Sequence, residues 1–283
     1  MNTLYISDLD GTLLNQDGVL SSQTRKDLQE LINQGVHFTC ATARTSATVS
    51  HILKDINLSA PAILMNGVVI LDLKTQTYIK VEYLQKAFCL ELIKELEKHN
   101  LTSFIYSLIR NQLVTYYDKL YNDSMYEFYK ERVTLYQKPY TKVASLSDIN
   151  PETIIYSLLL DKKEALQPLV DWLCEVKATY DIDFCFYPEI YLKDTWCLEI
   201  FSHKATKYNA AQFIRKEYGY DTIIGFGDNL NDLSLFMACD EAYAVQNAKP
   251  EVKAAATKVI GSNIENGVTT FIKDDYNTSA RKS

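Results

Sequence analysis

Two aspartates one residue apart, Asp8 and Asp10, close an apolar run near the start of the chain and lead into Gly11-Thr12. In an extended segment residues i and i+2 point the same way, so both carboxylates would face one crevice beyond a strand end. Two close carboxylates repel, and a cation or a shared proton is expected between them. Gly11 lets backbone amides approach an anion. Taken alone, the pair is equally consistent with a capped turn or a structural cation site.

Three other segments offer matching chemistry. Gly227-Asp228-Asn229-Leu230-Asn231-Asp232 follows the apolar run Thr222 to Phe226. Asp228 is placed to complete an oxygen-ligand site with Asp8, of the kind that suits magnesium, and Asp232 returns to the same side one helical turn later. An Asp/Asn-rich helix cap is the alternative. Thr42, within Ala41-Thr42-Ala43-Arg44, offers a hydroxyl to a phosphate oxygen, unless it only ends a strand. Lys207 stands in a first helical turn after Thr206, where a cation opposes the helix dipole. Lys204 and Lys207 compete as the phosphate-neutralising cation. A carboxylate nucleophile, a neighbouring acid, a hydroxyl, a cation and a metal ligand are the parts of phosphoryl transfer.

These residues need a scaffold that brings strand ends together. Leu4 to Leu9, Val36 to Ala41 and Ala62 to Met65 read as buried strands, with helices over Ser22 to Gln34 and Thr45 to Ile56 between them. That alternation predicts right-handed crossovers and a parallel sheet. After Glu82 the texture changes to helices at Gln85 to Asn100 and Lys163 to Thr179. They are grouped with strand-like pieces at Thr102 to Leu108, Gln112 to Tyr117, Thr153 to Leu160 and Asp183 to Tyr187. The α/β rhythm returns with strands at Trp196 to Phe201 and Thr222 to Phe226 and a helix from Thr206 to Tyr218. The last ten residues, from Asp274, are polar and expected to fray. The fold class is therefore α/β: a Rossmann-like parallel-sheet core, residues 1–83 and 190–283, interrupted by an inserted α+β domain, residues 84–189.

Bulk properties narrow the partners. A net charge of -7 argues against a nucleic-acid backbone. No apolar run approaches the ~20 residues that span a bilayer, and no signal-like segment opens the chain, so a cytoplasmic location is expected. The six cysteines form no CxxC pair and are read as reduced, mostly buried thiols.

The motifs together resemble the haloacid dehalogenase superfamily, specifically its Cof-type phosphatases. Asp8-Leu9-Asp10-Gly11-Thr12-Leu13-Leu14 matches the first motif, Thr42 the second, Lys207 the third and Gly227 to Asp232 the fourth. Met65-Asn66-Gly67, Ala244 to Pro250 and Glu265 to Val268 match further segments. Ala43, Tyr208 and Gln246 stand where the family more often has glycine or another small neighbour. The resemblance implies that Asp8 attacks phosphorus and becomes a phosphoaspartate, while Asp10 carries the proton. It implies that Leu9, Gly11, Thr42, Ala43, Lys207 and Asn231 hold the phosphate. It implies Mg2+ on Asp8, the Asp10 carbonyl and Asp228, with Asp232 supporting the metal or orienting Lys207. The inserted domain would be a cap. Its tyrosines, Tyr106, Tyr116, Tyr117, Tyr121, Tyr126, Tyr129, Tyr136 and Tyr140, would individually be packing and collectively favour a sugar or aromatic ring. The expected partner is a small phosphorylated metabolite, with neither nucleic acid nor membrane. A phosphosugar mutase and a non-catalytic phosphate-binding regulatory module remain as alternatives, and the oligomeric state is open.

Overall fold

The computed structural model describes residues 2–189 and 192–280. Its strands, in chain order, are β1 (Thr3–Ser7), β2 (His37–Cys40), β3 (Ala62–Leu64), β4 (Val69–Asp72), β5 (Thr77–Val81), β6 (Phe104–Ile109), β7 (Gln112–Tyr117), β8 (Tyr140–Lys142), β9 (Ile154–Asp161), β10 (Ile182–Pro188), β11 (Trp196–Ser202), β12 (Thr222–Gly227), β13 (Glu241–Val245) and β14 (Lys258–Ile260). They belong to two compact units. One is built from the chain up to Lys80 and from Ala205 onward, the other from Val81–Lys204.

The two-segment unit is organised by a parallel sheet of order β14-β13-β12-β1-β2. β1 is its middle strand, and Leu4 and Ile6 are fully buried, as a strand covered on both faces requires. Its register sets Ser7 beside Cys40 of β2 and Phe226 of β12. The carboxyl ends of three strands thus lie level, and the segments following them meet. A parallel bridge from Ala41 to Ile63 carries the edge on towards β3. Helix Ser22–Asn33 starts where Ser21 accepts the Thr24 amide and ends before Gly35, whose φ is 96°. Helix Lys207–Tyr218 starts at Thr206, which accepts the Asn209 amide at 3.0 Å, and stops at Gly219 in the left-handed region. Leu4, Ile6, Ile63, Ile214, Ile223 and Leu235 form the core between sheet and helices.

The single-segment unit carries a six-stranded sheet of order β10-β11-β9-β6-β7-β8, antiparallel except for β7 with β8. Helices Lys86–Lys98 and Lys163–Tyr180 contribute Phe88, Leu92, Leu166 and Leu173 to a core shared with Ile105, Leu159, Leu198 and Ile200 of that sheet. Pro168 lies inside the second helix without ending it.

Four expectations are corrected. Trp196–Ser202 does not join the parallel sheet: it pairs antiparallel with β9 and β10, so this unit runs to Lys204 rather than 189. An alternating apolar strand carries no mark of the sheet that will receive it. The tyrosine-rich stretch contains a helix, Asp123–Tyr136, capped by Asn122, because half-polar tyrosines hide a helical stripe. The second core helix is shorter, Ser46–Ile52. The chain from Asp274 continues helix Gly267–Ala280 instead of fraying, and residues 281–283 of that expectation lie outside the described residues. Among the described residues no helix is long and apolar enough to cross a membrane, and the six cysteines are free, three of them buried.

Candidate active site

Asp8 is the first residue after β1, and its amide still pairs with the Phe226 carbonyl at 2.9 Å. That bond holds its backbone in the sheet while its side chain enters a buried cluster. Lys207 Nζ donates to Asp8 Oδ1 at 2.7 Å and to Asp232 Oδ1 at 2.6 Å, with the lysine side chain fully buried. The other oxygen of Asp232 accepts the backbone amides of Asp228 and Asn229 at 2.9 and 3.0 Å. Asp232 therefore shapes its own loop and orients the lysine. Lys204, the other lysine considered, is exposed.

Asp228 accepts a hydrogen bond from Thr12 Oγ1 at 2.8 Å. Asp8, Asp228 and Asp232 each present a carboxylate oxygen within 4.8 Å of the others. Asp10 departs from the sequence expectation. The strand ends at Ser7 and the chain turns, with Leu13 and Leu14 amides bonding back to the Leu9 carbonyl. The i, i+2 rule of extended chain consequently lapses, and the Asp10 carboxylate lies outside the buried cluster. It is held in a two-pronged ion pair by Arg44, at 2.7 Å from Nε and 2.6 Å from the terminal nitrogen.

Burial raises the Asp8 carboxyl well above its ordinary range, with Lys207 opposing and Asp232 and Asp228 reinforcing. Burial alone would depress Lys207, but the two carboxylates outweigh it and hold the ammonium above its usual value. Asp228 is pushed up to about 6, chiefly by burial, against the Thr12 hydrogen bond and with help from the Asp232 charge. Within the cluster three carboxylates, Asp8, Asp228 and Asp232, face one cationic side chain, Lys207. With all three ionised the surplus is two negative charges, and this oxygen-only donor set could hold a divalent cation.

The remaining expected residues line the same strand ends. Thr42 is buried, and its hydroxyl accepts the Arg44 amide at 3.2 Å. Leu9 is buried beneath the turn, and Ala43 is exposed at its rim. Ala43 has no left-handed backbone, so glycine is not required there. Gly11 has φ 75°, and a Cβ on it would stand 2.5 Å from Asp228 Oδ2. Asn231 donates to Asn66 Oδ1 at 3.1 Å. Met65 and Asn66 both take φ above 50°, which lets their amides bind the Arg44 and Thr42 carbonyls at 3.1 and 2.9 Å.

Sequence reasoning missed the roles of Thr12, Arg44 and Asn247. Asn247 donates to the Gly11 carbonyl at 2.6 Å. Each lies within a quoted motif, and a polar side chain beside a named ligand was the available signal.

The model of the haloacid dehalogenase-like hydrolases matches residues 5–272. Among curated relatives, a 5-amino-6-(5-phospho-D-ribitylamino)uracil phosphatase of Bacillus subtilis is 28% identical, covering 94% of this chain and 95% of its own. The pyridoxal phosphate phosphatase of Escherichia coli is 24% identical, covering 96% and 98%. A haloacid dehalogenase-like hydrolase from Bacteroides thetaiotaomicron has the same fold, with a TM-score of 0.77, 20% identity and coverage of 97% and 99%. With its acidic cluster, its buried lysine and a family match over nearly its whole length, the chain belongs to the haloacid dehalogenase-like hydrolases.

Proposed function

We propose that this hydrolase removes phosphate from a small phosphorylated metabolite in two steps, through a phosphoaspartate on Asp8. The observation that carries the reading is the buried Lys207 bridge between Asp8 and Asp232. It fixes the orientation of one carboxylate and supplies a cation where phosphoryl oxygens would gather charge. The two curated relatives named above both act on small phosphate esters, which supports the substrate class.

In the first step an Asp8 oxygen forms a bond to phosphorus as the P–O bond to the alcohol breaks. Asp10 gives that alcohol its proton. In the second step Asp10 takes a proton from water, whose oxygen attacks phosphorus and breaks the bond to Asp8. Inorganic phosphate leaves and the Asp8 carboxylate is restored. This use of one residue as acid and then base follows from the reciprocity of the two steps. Thr42 and Lys207 hold the phosphoryl oxygens, with Leu9, Gly11, Ala43 and Asn231 shaping the loops around them. Asp8, Asp228 and the Asp10 carbonyl would bind Mg2+, with Asp232 behind them. When bound, the ion neutralises charge on phosphate and carboxylates.

The experiment is release of inorganic phosphate from p-nitrophenyl phosphate, with MgCl2 and with EDTA, by the native protein and by Asp8→Asn. Release that depends on Mg2+ and is lost in Asp8→Asn is expected. Equal rates in the two proteins would remove Asp8 as nucleophile, and isomerisation of a hexose phosphate without phosphate release would establish a mutase instead.

A further inference from the structure

Gly11 is the loosest point of the loop that carries Asp8 and Asp10. It takes φ 75°, and a Cβ on it would stand 2.5 Å from Asp228 Oδ2. The close approach to Asp228 thus demands glycine, and glycine leaves the backbone its greatest freedom. The two peptide planes that meet at Gly11 need an outside hold. One carries the Asp10 carbonyl, the other the Gly11 carbonyl.

That hold comes from the segment after β13. Asn247 Nδ2 donates to the Gly11 carbonyl at 2.6 Å, and Asn247 Oδ1 accepts the Asn263 amide at 3.1 Å. The side-chain amide is therefore fixed at both ends. Asn263 in turn donates from Nδ2 to the Leu14 carbonyl at 2.8 Å, at the far end of the same loop. Two residues after Asn247, the Lys249 amide donates to the Asp228 carbonyl at 2.9 Å. One short segment is bonded to the turn after Asp8 and to the loop of Asp228. The Thr12 hydroxyl closes the ring on Asp228 Oδ1 at 2.8 Å.

We propose that Asn247 is a positioning residue of the cation site, holding the Gly11 peptide so that the Asp10 carbonyl and Asp228 keep the spacing a divalent ion requires. This rests on the assignment of Asp8, the Asp10 carbonyl and Asp228 as metal ligands. A carboxylate ligand can adjust by rotating its own side chain, whereas a carbonyl ligand moves only with its backbone. The Asp10 carbonyl is thus the ligand that depends most on its surroundings. Groups that orient ligands without touching the ion typically change metal affinity by about 10–100-fold when removed.

The test uses the full chain and Mn2+ as probe, titrated in and followed by EPR, which reports affinity without turnover. Asn247→Ala should weaken Mn2+ binding by about tenfold. Asn247 is exposed, so the truncation opens no cavity in the core. Asn263→Ala removes the hold on Leu14 but keeps the main-chain amide that Asn247 accepts. It should weaken binding severalfold, and it serves where the first variant folds poorly. Asn2→Ala is the control: it removes a bond of the same kind, to the Gly219 carbonyl at 3.1 Å, before the amino end of β1. Its Mn2+ affinity should equal that of the native protein.

A merely structural role for Asn247 would lower the melting point in EDTA and leave Mn2+ affinity intact. Native affinity in folded Asn247→Ala, with binding lost in Asp228→Asn, would overturn the role of Asn247 and leave the cation site standing. Native protein that takes up no Mn2+, or no more than Asp228→Asn does, would overturn both. Hydrolysis that persists in Asp8→Asn would defeat the phosphoaspartate alone, and the Mn2+ titration would still decide the role of Asn247.

Discussion

Asp232→Asn is the substitution whose effect the geometry determines most closely. One Asp232 oxygen accepts from Lys207 at 2.6 Å and the other accepts two backbone amides, at 2.9 and 3.0 Å. Every partner is a donor. An asparagine must turn its NH2 group either to the lysine ammonium or to the pair of amides, so one donor faces donors in either orientation. The charge that balances Lys207 is also halved, with Asp8 as the remaining carboxylate partner. Losing a charge-assisted bond in a buried ion network costs about 3 kcal/mol. For a unit of this size that lowers Tm by about 6–10 °C. Thermal melting in EDTA gives the stability readout. Turnover of p-nitrophenyl phosphate should fall by at least about tenfold, because Lys207 loses its fixed position. A melting point within about 2 °C of the native protein's, together with undiminished turnover, would refute the view that Asp232 organises the site.

Further expectations concern its neighbours. Asp228 titrates near 6 in the fold against an ordinary 3.8. The unfolded chain therefore gives up that proton first, and the metal-free fold loses stability as pH rises through that interval. Asp228→Asn should melt above the native protein in EDTA at neutral pH, and excess MgCl2 should reverse the order. Arg44→Met removes the two-pronged hold on Asp10, and Arg44→Lys cannot rebuild it because a lysine lacks the planar fork. Both should lower kcat/KM for an aryl phosphate by about tenfold, measured by steady-state kinetics. Gly67 has φ 104°, and a Cβ there would collide with the Thr206 backbone at the start of the lysine-bearing helix. Gly67→Ala should cost more than about 2 kcal/mol, read by chemical denaturation.

What the sequence made legible follows from local physics. Asp8, Asp228, Asp232 and Lys207 each flank a buried strand or open a helix, and those elements leave strong periodic signals. Register then did the rest, aligning Ser7 with Cys40 and Phe226. Asp10 was misplaced because extended geometry was carried three residues past the strand end at Ser7. The Arg44 pairing needs side chains 34 residues apart, a distance over which no pattern speaks. Trp196–Ser202 shows the same limit at the scale of a strand: its alternation was visible, but its partners are set by packing. Of the inserted unit's tyrosines, those highlighted by density were mostly packing.

The interleaving of the two units has a consequence for biogenesis. β1 is paired on one side with β12, more than two hundred residues later in the chain. The Asp8–Lys207 contact spans 199 residues, and Thr12–Asp228 spans 216. During synthesis β1 and β2 emerge with an unpaired edge, which must stay clear of other chains until the final third leaves the ribosome. Val81–Lys204, in contrast, is a continuous segment able to collapse as soon as it is made. Assembly of the acidic cluster is thus a late event in the life of each molecule, and a nascent chain cut short before the final third carries Asp8 without Lys207, Asp228 and Asp232.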